Sequence, residues 1–124
     1  MLPEQSPNRQ TPKQRSGAIA EQSAKRFLIE QGLEFVEQNV RFKVGELDLI
    51  FLDESSYTYI FVEVRFRKNN HFGGAAASIS RKKQQNIKKA AIFYLQKRKL
   101  TPNIRFDVIA YENGQLNWIE SAFS

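Results

Sequence analysis

Two stretches of the chain place acidic side chains where strands need apolar ones. Gly45-Glu46-Leu47-Asp48-Leu49-Ile50 and Phe61-Val62-Glu63-Val64-Arg65 are rich in Leu, Ile, Phe and Val, the composition of strands. A carboxylate in an apolar strand costs free energy unless it is paired or ligates a metal. Strand alternation puts Tyr59, Phe61, Glu63, Arg65 and Arg67 on one face, and Ile60, Val62, Val64 and Phe66 on the other. It likewise gives Glu46 and Asp48 a shared face. Between the two stretches, Asp53-Glu54-Ser55-Ser56 reads as a turn. A hairpin centred between Ser55 and Ser56 sets Asp48 directly opposite Glu63, with β-carbons about 4.5–5.5 Å apart. Two carboxylates that close repel unless a divalent cation lies between them. A slip of one residue would destroy the arrangement, so the hairpin register is the expectation to check.

Other elements must hold this pair in place. Residues 1–15 contain Pro, Gln, Lys and Arg with few apolar groups and read as a flexible basic tail, leaving 16–124 as a single domain. From Ser16 the spacing of Ile19, Ala20, Ala24, Phe27 and Leu28 predicts a helix, with Gly32 as its stop. Glu21 lies off the centre of that stripe and, taken alone, is a solvated helix charge. Leu33 to Lys43 is the first strand, with Arg41 projecting opposite to Val40 and Phe42. Gly45, opening the next strand, marks a close backbone approach or a bulge. The third strand ends in Arg65-Phe66-Arg67-Lys68. Asn69 to Gly74 is a loop, and His71, the single His, is a loop residue.

Ser80 is the expected N-cap of a second helix running to about Lys99, with Ile87, Ala91, Tyr94 and Leu95 as its apolar stripe. Arg81, Lys82 and Lys83 at its start oppose the helix dipole. That placement suits phosphate beside exposed N–H groups, and equally a solvated basic helix. Beyond Pro102, Ile104 to Tyr111 is a strand, Asn113-Gly114 a hairpin turn, and Leu116 to Ile119 the last strand, with Trp118 in the core or at its rim. The long crossover through the second helix permits a parallel pairing.

The 124 residues suit one core, and 41% hydrophobic with ten Phe excludes a disordered chain. No apolar run is long enough to span a membrane, and no secretory h-region opens the chain. No Cys and one His exclude disulfides, thiolate sites and a multi-histidine zinc site within one chain. A cytoplasmic location fits. Lys and Arg number 19 against 13 Asp and Glu, a net +6 that favours an anionic partner such as nucleic acid.

The Gly-Glu-hydrophobic-Asp strand, the hairpin and the following Glu-x-basic resemble the PD-(D/E)XK nuclease superfamily. From about Gly17 to Phe123 the chain is similar, more narrowly, to the YraN family of small bacterial proteins. The resemblance adds Glu21, Asn39, Arg41, Lys82 and Arg105-Phe106-Asp107-Val108 to the two acidic stretches. It implies an α/β (α+β) restriction-endonuclease-like or Holliday-junction-resolvase-like fold, a mixed central sheet flanked by helices in the order α-β-β-β-α-β-β.

The resemblance also implies a metal-dependent endonuclease acting on DNA, branched or junction DNA included. Asp48, Glu63 and the Val64 carbonyl would hold Mg2+ or Mn2+. Glu21 and Glu46 would assist, and Arg65 stands where the family usually has Lys. Arg41, Arg67, Lys68, Arg81, Lys82 and Lys83 would meet phosphates. Arg65 keeps the charge but does not deprotonate in proteins. A nucleic-acid-binding module with little or no catalysis is therefore the alternative. A homodimer is compatible with either.

Overall fold

The computed structural model describes residues 12–67 and 79–124. The elements are α1 (Pro12–Glu30), β1 (Glu34–Phe42), β2 (Gly45–Asp53), β3 (Thr58–Arg67), α2 (Arg81–Lys97), β4 (Asn103–Glu112) and β5 (Gln115–Phe123), the order expected. α1 starts at Pro12, four residues before Ser16, and Pro is well suited to a first helical turn. The rest of the expected tail, Lys68 and the loop with His71 lie outside the described residues.

One mixed sheet runs in the order β1-β2-β3-β4-β5. β3 and β4 pair in parallel with α2 as their crossover, and the other neighbours are antiparallel. Alternation along β3 divides the core. Tyr59 and Phe61 pack with Ile50, Phe106 and the α2 residues Ile87, Ala90, Ala91, Tyr94 and Leu95. Ile60 and Val62 pack with Leu49, Phe51, Ile109 and the α1 residues Ala24 and Leu28. The buried line of α1 is Ala20, Ala24 and Leu28, spaced by four. Ile19, expected on that stripe, is 61% exposed, because it sits a full 100° from Ala20 around the helix axis. No helix among the described residues is long and apolar enough to cross a membrane.

Two local features tie the helices to the strands. Ser80 caps α2, its side chain accepting from the Lys83 N–H at 3.0 Å. α2 then crosses Gly45 so closely that a β-carbon there would lie 2.9 Å from the Asn86 carbonyl oxygen and 3.2 Å from its carbon. The glycine that opens the acidic strand is thus a close-approach residue, and it sets the height of α2 above β2. Gly45→Ala forces the two backbones apart. We expect a loss of about 1–3 kcal/mol in urea denaturation, with α2 residues losing amide-exchange protection before α1 residues do.

β4 carries a carboxylate of its own. Asp107 is fully buried and accepts four hydrogen bonds: Arg105 Nε at 2.9 Å and Nη2 at 2.8 Å, Trp118 Nε1 at 2.9 Å and the Ser121 N–H at 2.9 Å. The β4–β5 register shifts between Phe106 and Val108, and Ser121 takes φ +52, which turns its N–H toward Asp107. Trp118 packs edge-on against Phe27 and is only partly buried, so the residue expected in the core or at its rim lies at the rim.

Candidate metal and nucleic-acid site

The β2–β3 register is the one the turn predicts. Asp53 pairs with Thr58, Leu52 with Tyr59, Phe51 with Ile60, Ile50 with Phe61 and Leu49 with Val62. The same count sets Asp48 against Glu63, but the ladder stops one pair short of them. There the Asp48 side chain takes over, its Oδ2 accepting from the Val64 N–H at 3.0 Å. Leu47 and Leu49, which an unbroken strand keeps on one face, belong to different core clusters. β2 therefore turns over at Asp48. On the other flank, β1 pairs with β2 at Gln38–Leu49 and Val40–Leu47 but not at Asn39, whose φ is +54. Asn tolerates this left-handed conformation better than most residues. Both neighbours of β2 thus leave the ladder at Asp48, which is how an acid in an apolar strand meets the Val64 N–H and Glu63.

The electrostatics follow from the crowding. Glu63 is 5% exposed. Burial, and then the charge of Glu63, push the Asp48 carboxyl up to about 8, against the opposing effect of the Val64 N–H. The two side chains also hydrogen-bond each other, so the proton on Asp48 is shared across the pair. Glu21 joins them from α1. Burial raises its carboxyl, as do the charges of Glu46 and Glu63, while a hydrogen bond from the Asn39 side chain opposes the shift. Glu46 forms an ion pair with Arg41 at 3.2 Å on the surface. Four acids thus sense one another around the point where β2 leaves β3.

Cations border the acids. Lys83 Nζ lies 3.1 Å from Glu63 Oε2, and Arg65 Nη1 lies 3.7 Å from the same oxygen. Arg81 and Lys82 precede Lys83 at the start of α2 and are exposed. Arg67 ends β3 on the same strand.

The family model of the uncharacterised protein family UPF0102 matches residues 20–111. The chain belongs to this family. A UPF0102 protein of Shewanella frigidimarina is 46% identical over 108 residues, covering 87% of this chain and 98% of that one. Another from Pectobacterium carotovorum is 46% identical over 112 residues, 88% of this chain and 93% of that one. One from a Marinomonas species is 43% identical over 121 residues, 94% of each. The matched span of UPF0102 contains every acid of the cluster.

Of the residues singled out in the sequence, this UPF0102 chain brings together Asp48, Glu63, Val64, Arg65, Glu21 and Glu46. Lys83 enters the cluster directly, whereas its sequence position marked it only as one of three helix-start cations. Asn39 was visible only as part of the family resemblance. Its orienting bond to Glu21 had one local cue: Asn is among the non-glycine residues that most readily take a positive φ.

Proposed function

We propose that the protein is a metal-dependent endonuclease acting on DNA, and that Asp48 and Glu63 hold its divalent ion. The observation carrying this reading is the pair itself. It comprises two strand carboxylates brought together at a break in the sheet, with one backbone donor on Asp48 and a proton held at neutral pH by burial and then by their repulsion. Such a pair is costly as structure and well matched to a hard cation with oxygen ligands. Among the described residues no three acidic or imidazole groups form a ready-made cage. That suits Mg2+ or Mn2+, which take one or two carboxylates, keep several waters and draw further ligands from substrate phosphate. The Val64 carbonyl is the natural third protein ligand. The bound ion would activate water and polarise the scissile phosphate.

The chain's own groups do the rest. Val64 N–H orients Asp48, Asn39 orients Glu21, and Arg65 offers a planar fork to a phosphate. Arg65, which cannot act as a base, is the one feature favouring the second reading, a binding module on a nuclease fold. Incubating the purified protein with Mn2+ or Mg2+ and a panel of duplex, single-stranded and branched DNA decides between them. Metal-dependent cleavage of any substrate supports the first reading; binding without cleavage supports the second.

Either reading expects a salt-dependent phosphate interface on α2. Arg81→Gln with Lys82→Gln weakens binding to all sequences alike and lowers the slope of log affinity against log salt by about 2. Fluorescence anisotropy across a salt series measures this. An unchanged slope removes the α2 start from the interface.

A further inference from the structure

Lys83 differs from its basic neighbours. Its N–H is tied to Ser80 Oγ in the cap of α2, and the helix is seated on β2 through Asn86 and Gly45. The side chain therefore leaves from a fixed backbone point, and its ammonium reaches the most buried acid of the cluster. Glu63 Oε2 thus faces two cations. Arg65 projects from the same strand, its side chain 27% exposed. Lys83 comes from another element on a four-carbon stem, and its side chain is 46% exposed. A half-exposed, flexible ammonium can change partners where a packed guanidinium cannot.

Lys83 and a divalent ion would compete for Glu63. A divalent ion takes the oxygen lone pairs that Lys83 uses, and like charges a few ångströms apart repel. Displaced, the ammonium stays tethered beside the acids, and the nearest new anion is the substrate phosphate. We infer that Lys83 is a resident cation that neutralises Glu63 until a divalent ion replaces it, and then donates to a non-bridging oxygen of the scissile phosphate. The inference rests on the nuclease reading above. It gives the site a mobile positive charge from α2 in addition to Arg65. Charge on the phosphoryl oxygens is what such a donor stabilises during transfer.

The test is isothermal titration with Mn2+ alone, paired with single-turnover DNA cleavage at saturating Mn2+. It compares wild type, Lys83→Gln, Lys83→Arg and Arg81→Gln. Removing the competing ion pair makes Lys83→Gln bind Mn2+ roughly 2- to 5-fold tighter. Losing the phosphate donor slows its cleavage by about 100-fold. Lys83→Arg restores the ion pair and returns Mn2+ affinity to the wild-type value. Unchanged or weaker Mn2+ binding in Lys83→Gln overturns the inference, as does cleavage no slower than in Arg81→Gln. A wild-type protein that neither binds Mn2+ nor cuts overturns the nuclease reading and this inference with it. Wild type that binds and cuts, with Lys83→Gln behaving as Arg81→Gln, overturns this inference alone.

Discussion

Asp48→Asn yields a folded protein that binds Mn2+ and cleaves DNA at least about 100-fold more weakly, because even outer-shell partners of a metal cost 10- to 100-fold when lost. The same substitution stabilises the metal-free protein at neutral pH. In the native state Asp48 holds its proton up to about pH 8, donating to Glu63 while accepting from Val64 N–H. An Asn fills both roles without titrating. In the unfolded chain Asp48 ionises near its ordinary value, about 3.9.

The raised native value means that the stabilising contribution is complete below pH 4 and is lost as pH rises toward 8. Between those limits the native state holds one proton more than the unfolded state. Wild-type stability therefore falls relative to Asp48→Asn by up to about 1.4 kcal/mol per pH unit, and the difference levels off above pH 8. Mn2+ reverses the trend for wild type only, since the ion binds the ionised carboxylate and displaces its proton. Urea denaturation of both proteins from pH 4 to 9, with and without Mn2+, reads all of this. A pH-independent difference shows that Asp48 carries no shared proton. Normal Mn2+ affinity in the variant shows that the ion binds elsewhere.

The pairing of Asp48 with Glu63 was legible in the sequence because a hairpin is a local object. Asp53 accepts from both the N–H and the hydroxyl of Ser55, the turn chemistry that its sequence announces. Once the turn is placed, counting outward sets Asp48 against Glu63. The break in the ladder at that pair was not legible, since it depends on Asn39 from one side and Val64 from the other. Glu21 reads as a solvated helix charge until the angle of α1 over the sheet is known. Lys83 meets Glu63 across 20 residues of sequence, and no local pattern separates it from Lys82. The height of α2 over Gly45 decides which of the helix-start cations reaches the acid. The exposure of Ile19 is a matter of helix phase, in which one residue shifts a side chain by 100°.

Asp107 tests whether a buried strand acid in this fold has to be a functional one. Asp48 and Asp107 share a residue type, a strand setting and a place in the family resemblance; their donors differ. Asp107 accepts from a bidentate Arg105, from Trp118 and from Ser121, which matches the accepting capacity of a carboxylate with four bonds. The same contact raises the Arg105 pKa, chiefly through the Asp107 hydrogen bonds. Nothing in that set leaves room for a cation, and two of its three donor residues, Trp118 and Ser121, join β5 to β4. Asp107→Asn turns an amide NH2 toward donors it cannot accept from and leaves the partly buried Arg105 guanidinium with Glu120, at 3.3 Å, as its remaining ion-pair partner. Breaking a buried pair this way costs about 3 kcal/mol, or a melting temperature lower by roughly 10 °C for a chain of this size. Mn2+ affinity per folded molecule stays within about twofold of wild type, because the proposed site lies on β2 and β3. The two Asp→Asn variants are thus expected to be opposites. Asp48→Asn gains metal-free stability and loses metal, while Asp107→Asn loses stability and keeps metal. Thermal melts and Mn2+ titrations on the pair check this directly. Loss of Mn2+ binding in a folded Asp107→Asn protein would place Asp107 in the functional site and refute the assignment by donor count.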